Sequence, residues 1–234
     1  MLASIVTTCV ALLILGPVAD VKTTVHALEL RYSRAHTLKA SFYERYRDGN
    51  GGGMAESGTV YFSHPGRMRW EYESPEKKLF LIDGTNVWFY VPADHTASRA
   101  KLKESSDWRT PLALLAGKID LKRLCRKIEI VDPNSTMHED ADSSPLAGGD
   151  TVLGCTPRGD SADKGEGIQK VIFELDPGAH LVRVLIRVAG NVETEFRFGN
   201  WEENIEIPET KFHFVPPAGV AVVDEGSLTG KSDQ

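Results

Sequence analysis

The chain has 234 residues, 41% hydrophobic and 26% charged, which suits one large β domain or two small ones. A formal charge of -6, with Lys and Arg scattered rather than striped, excludes a nucleic-acid surface and disfavours anionic membranes. The first residues carry an apolar run at 10–15, bounded by Gly16-Pro17 and too short to span a bilayer. We read 1–19 as a secretory signal peptide lacking a basic start, cleaved after Ala19 or Ala27; a retained anchor is the alternative. Cys9 has a poor lipobox match in front of it, so the mature chain is expected to be unlipidated. Cys125 and Cys155 then remain, either as one disulfide or as two buried thiols.

Residues 20–37 place Val21, Val25, Leu28, Tyr32 and Ala35 at helical spacing behind Asp20, a capping residue, and predict one amphipathic helix. Residues 38–48 alternate, with Leu38, Ala40, Phe42 and Tyr46 opposed to Lys39, Ser41, Tyr43 and Arg45, and predict a strand leading into the glycine-rich loop 48–53. The stretch 57–92 then holds strand-type runs near 54–63, 67–73, 78–82 and 87–91, separated by His64-Pro65-Gly66, Ser74-Pro75 and Asp83-Gly84. Such short connections leave no room for a crossover helix, so this is an antiparallel meander. Two of its strands are apolar on both parities. Either both their faces are covered, or one face is apolar for a guest.

A short strand at 97–102 follows. Thr110-Pro111 then precede a short apolar helix at 112–117, and 121–126 predict another helical turn. Residues 125–131 read as a strand and 132–150 as a polar loop. Val171, Phe173 and Leu175 mark the next strand. Residues 180–190 and 192–198 alternate cleanly about a Gly190-Asn191 hairpin, with one wet face. Residues 211–215 predict a strand stopped by Pro216-Pro217, 220–223 an edge pairing, and 226–234 a disordered tail.

The expected architecture is one mainly β domain over 20–225: an unclosed antiparallel half-barrel of about ten or eleven strands with a helical lid over its concave apolar face. The candidate concave wall is Val60, Phe62, Met68, Trp70, Tyr72, Leu79, Leu81, Trp88, Tyr90, Phe173, Val184, Ile186, Phe196 and Phe198, with Leu112, Leu114 and Leu115 in the lid. Dry core filling is the competing reading of these aromatics and of the short helix. The sequence shows no nucleophile–base set, metal-ligand cluster or phosphate-cradling glycine loop; neither an enzyme nor a cofactor is expected.

The segments Ser57-Gly58-Thr59-Val60-Tyr61-Phe62, Pro65-Gly66-Arg67-Met68-Arg69-Trp70-Glu71-Tyr72, Asp83-Gly84, Val87-Trp88-Phe89-Tyr90 and Thr110-Pro111-Leu112 stand in order with Phe42 before them. Lys211-Phe212-His213-Phe214-Val215-Pro216-Pro217-Ala218-Gly219-Val220 stands after them. Together they resemble the periplasmic outer-membrane lipoprotein carrier (LolA) family over nearly the whole mature chain. The resemblance implies a monomeric periplasmic carrier that takes lipoproteins from an inner-membrane ABC transporter, shields their acyl chains and passes them to an outer-membrane receptor. It also marks a departure: His64 stands where many members have an arginine tying the strand to the lid. His64 is then a lid latch, is replaced in that role by Arg67 or Arg69, or is an exposed turn residue. A periplasmic module that binds or senses another hydrophobic ligand is the rival function, and a structural domain acting through its sheet edge is a third.

Overall fold

The structure, a computed structural model, describes residues 20–102, 120–132, 149–158 and 167–224. Asp20 starts the first helix as expected, its carboxylate accepting the Thr23 amide at 3.1 Å, and α1 runs over Val21–Arg34. Val25, Leu28 and Tyr32 form its buried stripe. Among the described residues twelve strands build one sheet. They are β1 Thr37–Arg47, β2 Gly53–Ser63, β3 Arg67–Ser74, β4 Lys78–Ile82, β5 Asn86–Val91, β6 Thr96–Lys101, β7 Cys125–Ile130, β8 Thr151–Pro157, β9 Ile168–Leu175, β10 Leu181–Val188, β11 Val192–Glu203 and β12 Ala221–Asp224. A short helix, α2, occupies Leu121–Leu124, and its Leu121 amide donates to Glu29 of α1 at 2.9 Å.

The strands lie in the order β12-β6-β5-β4-β3-β2-β1-β11-β10-β9-β8-β7. Two meanders, β1 to β6 and β7 to β11, are joined through the long β1–β11 pairing. The outermost strands β12 and β7 are not paired with each other, so the sheet is unclosed. All pairings are antiparallel except that of β12, which adds to β6 in parallel through Ala221 and Thr96.

The structure departs from the sequence expectation in β8, a strand not expected at 151–157, in the longer β11, and in the C-terminal segment. Residues 211–215 do not form a strand: Glu209–Phe212 is a 3-10 turn, and the chain beyond it crosses the outside of the sheet unpaired. The alternation there comes from the turn and the extended residues after it, which together press Phe212 and Phe214 onto a sheet face. The edge pairing expected at 220–223 is present as β12. The expected helix at 112–117, the tail at 226–234 and residues 1–19 lie outside the described residues.

Directly opposed residues of an antiparallel pair share a face, so the register assigns both faces of the sheet. Phe42 opposes Gly58 and Phe198; Val60 opposes Trp70; Trp70 opposes Phe80; and Phe196 opposes Val184, which opposes Phe173. This inner face merges with the buried stripe of α1 into the main apolar cluster. Cys125 and Cys155 belong to the same cluster and are joined in a disulfide that closes a separation of 30 residues between β7 and β8.

Candidate functional site

The centre of the inner face is aromatic. Phe42 meets Trp70 and Tyr72 edge-on at 4.7 and 5.0 Å between ring centroids, and Trp70 meets Phe196 at 5.3 Å and Phe198 at 6.1 Å. Gly58 makes this possible. It stands between Phe42 and Tyr72 in the pairing and presents no side chain, so the rings close over it. Each such pair contributes about 0.5–1.5 kcal/mol beyond its burial. Tyr32 of α1 is held over the same face, its hydroxyl accepting the Leu181 amide at 2.8 Å, and burial pushes its phenol well above the ordinary tyrosine range.

Polar groups sit at both ends of this face: Glu203, which opposes Leu38, pairs with Arg31 of α1 at 3.1 Å, and a second group lies near the β1–β2 loop. Glu44 lies on the inner parity of β1, buried, and accepts the Tyr72 hydroxyl at 2.7 Å. Its cross-strand partner Glu56 pairs with Lys78, which in turn opposes Tyr72. The inner face is thus aromatic and aliphatic in its middle, with a carboxylate–guanidinium pair at the α1 C-terminal end and a carboxylate–ammonium group at the other.

Ten of the fourteen expected wall residues lie on this face: Val60, Phe62, Met68, Trp70, Tyr72, Phe173, Val184, Ile186, Phe196 and Phe198. The other four do not. Leu79, Leu81, Trp88 and Tyr90 belong to a separate cluster on the outer face, where Phe212 and Phe214 cover them. The reason is register. Tyr72 opposes Lys78 and Ile82 opposes Val87, so Phe80, Ile82, Val87 and Phe89 turn inward while Leu79, Leu81, Trp88 and Tyr90 turn outward. The apolar runs of β4 and β5 are apolar on both parities because both of their faces are covered.

The cover on the outer face is clamped by charge. Arg67 pairs with Glu209 and lies over the Phe212 ring at 5.3 Å; Arg69 donates to the Lys211 carbonyl at 3.1 Å; and Lys211 pairs with Glu71 at 2.9 Å. Burial alone would push the Glu71 carboxyl up, but hydrogen bonds from Lys211 and Arg69 outweigh it and hold the group below the ordinary glutamate range. Arg67 and Arg69 therefore hold the C-terminal segment on the outer face. His64 sits exposed on the turn between β2 and β3, its amide donating to the His36 carbonyl at 2.9 Å. Leu112, Leu114 and Leu115 lie outside the described residues.

Elsewhere the outer face carries a small apolar cluster of Val152, Ile172 and Leu185 and, on β1, β10 and β11, ion pairs. Glu195 on β11, only 3% exposed, is met by Arg45 at 2.7 Å, Arg197 at 3.0 Å and Arg183 at 3.6 Å, and Arg183 also pairs with Glu174 at 2.6 Å. Burial raises the Glu195 carboxyl, and the three guanidinium groups more than reverse it. Sequence reasoning omitted Phe42, Phe80 and Glu44 from the site. Glu44 had a visible signal, a carboxylate on the apolar parity of β1.

An unclosed sheet whose inner surface is aromatic at its centre and charged only at its ends is a holder of apolar chains, the class this geometry defines. Comparison with known proteins gives the family. The model of the family described as outer membrane lipoprotein carrier protein LolA matches residues 33–138. The outer-membrane lipoprotein carrier protein of Dechloromonas aromatica is 32% identical over 93% of this chain and 94% of its own length. That of Nitrosospira multiformis is 29% identical over 87% and 89%. A crystal structure of an uncharacterized conserved protein from Thermus thermophilus shares the fold, with a TM-score of 0.52 at 12% identity over 87% of this chain and 98% of that one. The chain belongs to the outer-membrane lipoprotein carrier (LolA) family.

Proposed function

We propose that this protein is a carrier of lipoproteins, holding their acyl chains against the inner sheet face while they cross the periplasm toward the outer membrane. The observation that carries the reading is the continuous apolar inner face, bounded by ionic pairs at its ends. Each buried methylene is worth about 0.8 kcal/mol, so the acyl chains of a lipoprotein exposed to water would cost on the order of tens of kcal/mol. A soluble intermediary must therefore cover nearly all of them. It must also release them, which favours a face closed by one short helix and a lid over a tightly interlocked core. Val60, Phe62, Met68, Trp70, Tyr72, Phe173, Val184, Ile186, Phe196 and Phe198 are the residues we assign to acyl contact, with Leu112, Leu114 and Leu115 as the lid.

In this reading an inner-membrane ABC transporter loads the monomeric protein and an outer-membrane receptor unloads it. No described helix is long and apolar enough to cross a membrane. The experiment is release. Delipidated protein is mixed with inner-membrane vesicles bearing a lipoprotein and the transporter, with ATP. The reading requires lipoprotein to appear in the soluble fraction bound to this protein; recovery of free lipid alone would point to a different hydrophobic cargo.

A further inference from the structure

The inner face holds one polar atom that its apolar neighbours cannot satisfy. Trp70 is 0% exposed, and its indole Nε1 is buried with no hydrogen-bond partner among the described residues. The rings around it, Phe42, Phe62, Phe196 and Phe198, are hydrocarbon and offer no lone pair. The fold supplies acceptors to its other described tryptophans: Trp88 donates to Asp83 at 3.1 Å and Trp201 to the Leu181 carbonyl at 2.9 Å. The remaining buried unpartnered atoms belong to Arg31, Arg183 and Glu203, charged groups that have ion pairs through the same side chain. Trp70 has no second polar atom to fall back on.

An indole N–H buried this way is costly unless something answers it. Water is a poor candidate, because a held water needs two to four polar partners and the surrounding rings provide none. A charged acceptor is excluded by its desolvation cost at the centre of an aromatic cluster. What fits is a neutral carbonyl oxygen carried in on an apolar chain. We propose that Trp70 is a specificity residue of the acyl site, its Nε1–H donating to an ester or amide carbonyl of the bound acyl group. This rests on the acyl-carrier reading and sharpens it: the site distinguishes an acyl chain from a bare hydrocarbon of the same length.

The test compares methyl palmitate with octadecane, a chain of matching length with no acceptor, as competitors of 1-anilinonaphthalene-8-sulfonate bound to the delipidated full chain. Wild type is expected to prefer the ester by about two- to ten-fold, the worth of one hydrogen bond formed in a dry site. Trp70→Phe, which removes the donor along with part of the ring, should bind ester and octadecane equally, whatever its absolute affinity for either. A second readout needs no folded variant. In wild type labelled with 15N-tryptophan, one indole resonance should move downfield with methyl palmitate and stay in place with octadecane.

Repeating the competition with a triacylated lipopeptide and with a phosphatidylethanolamine of the same chains separates the two sources of such a carbonyl, the source being the one whose affinity falls in Trp70→Phe. Equal binding of ester and alkane by wild type, or an indole resonance unmoved by the ester, would overturn the proposal and leave the carrier reading standing. If neither chain displaces the probe, the acyl-binding reading itself fails and this one with it.

Discussion

Phe212→Ala separates the two faces of the sheet most cleanly. The ring is 1% exposed, packed against Leu79, Leu81 and Trp88, and capped by Arg67 at 5.3 Å. Truncating a fully buried phenylalanine costs about 3–5 kcal/mol. The lower end applies here, because Phe212 sits on a surface segment that can swing away and let water fill the gap. About 1.5–3 kcal/mol is lost transfer of the ring itself, and about 0.5–1 kcal/mol the guanidinium contact. With a urea slope of about 2–3 kcal/mol per molar, the unfolding midpoint should fall by roughly 1 M at unchanged slope. Urea titration followed by circular dichroism reads this. Displacement of a fluorescent acyl probe from the same variant, in buffer, should stay within about twofold of wild type. A stable Phe212→Ala protein that binds acyl chains more than tenfold more weakly would refute the reasoning, since it would place the outer cluster in the guest site.

Three further outcomes follow from the geometry. Glu71 has a depressed pKa when folded, so its stabilisation is complete above the ordinary glutamate range and is lost as pH falls through the lowered value. The stability gap between wild type and Glu71→Gln, read by thermal melts, should therefore be present at neutral pH and close below about pH 4; a gap independent of pH contradicts the clamp. Gly58→Ala should fail to accumulate as folded protein or melt far lower, because its new Cβ would stand 1.9 Å from the Glu71 carbonyl, a backbone atom that cannot yield cheaply. Normal melting of that variant would mean that β3 does not approach Gly58 this closely. Removing the disulfide with Cys125→Ser/Cys155→Ser should cost about 3.5 kcal/mol, the chain-entropy value for a loop of this size, measured by urea titration; an unchanged midpoint would show that β7 is held by its ladder alone.

Much of the fold is legible in the residues themselves. Residues 37–74 and 181–198 alternate because one face is covered by apolar packing and the other is largely charged, and their turns are marked by glycine, proline and asparagine, so strand limits fall within a residue or two of those expected except at the end of β11, which runs five residues further, to Glu203. β4 and β5 were harder. Leu79-Phe80-Leu81-Ile82 and Val87-Trp88-Phe89-Tyr90 are apolar throughout, and only the counting of the 73–77 and 83–86 turns says which residue faces which way. The cover that explains their outer parity comes from residues more than a hundred positions later, the Phe212 and Phe214 segment, whose own alternation imitates a strand. No local pattern carries that contact. The same distance hides the roles of Arg67 and Arg69, whose partners Glu209 and Lys211 are remote in sequence.

The assignment of acyl chains to the inner face is tested most directly by photocrosslinking. A lipopeptide with a diazirine near the end of one acyl chain is loaded onto the protein, irradiated, and the adducts are mapped by mass spectrometry. Adducts on Phe62, Met68, Trp70, Val184 or Phe196 are the predicted result; adducts concentrated on Leu79, Leu81, Trp88 and Phe214 would contradict it.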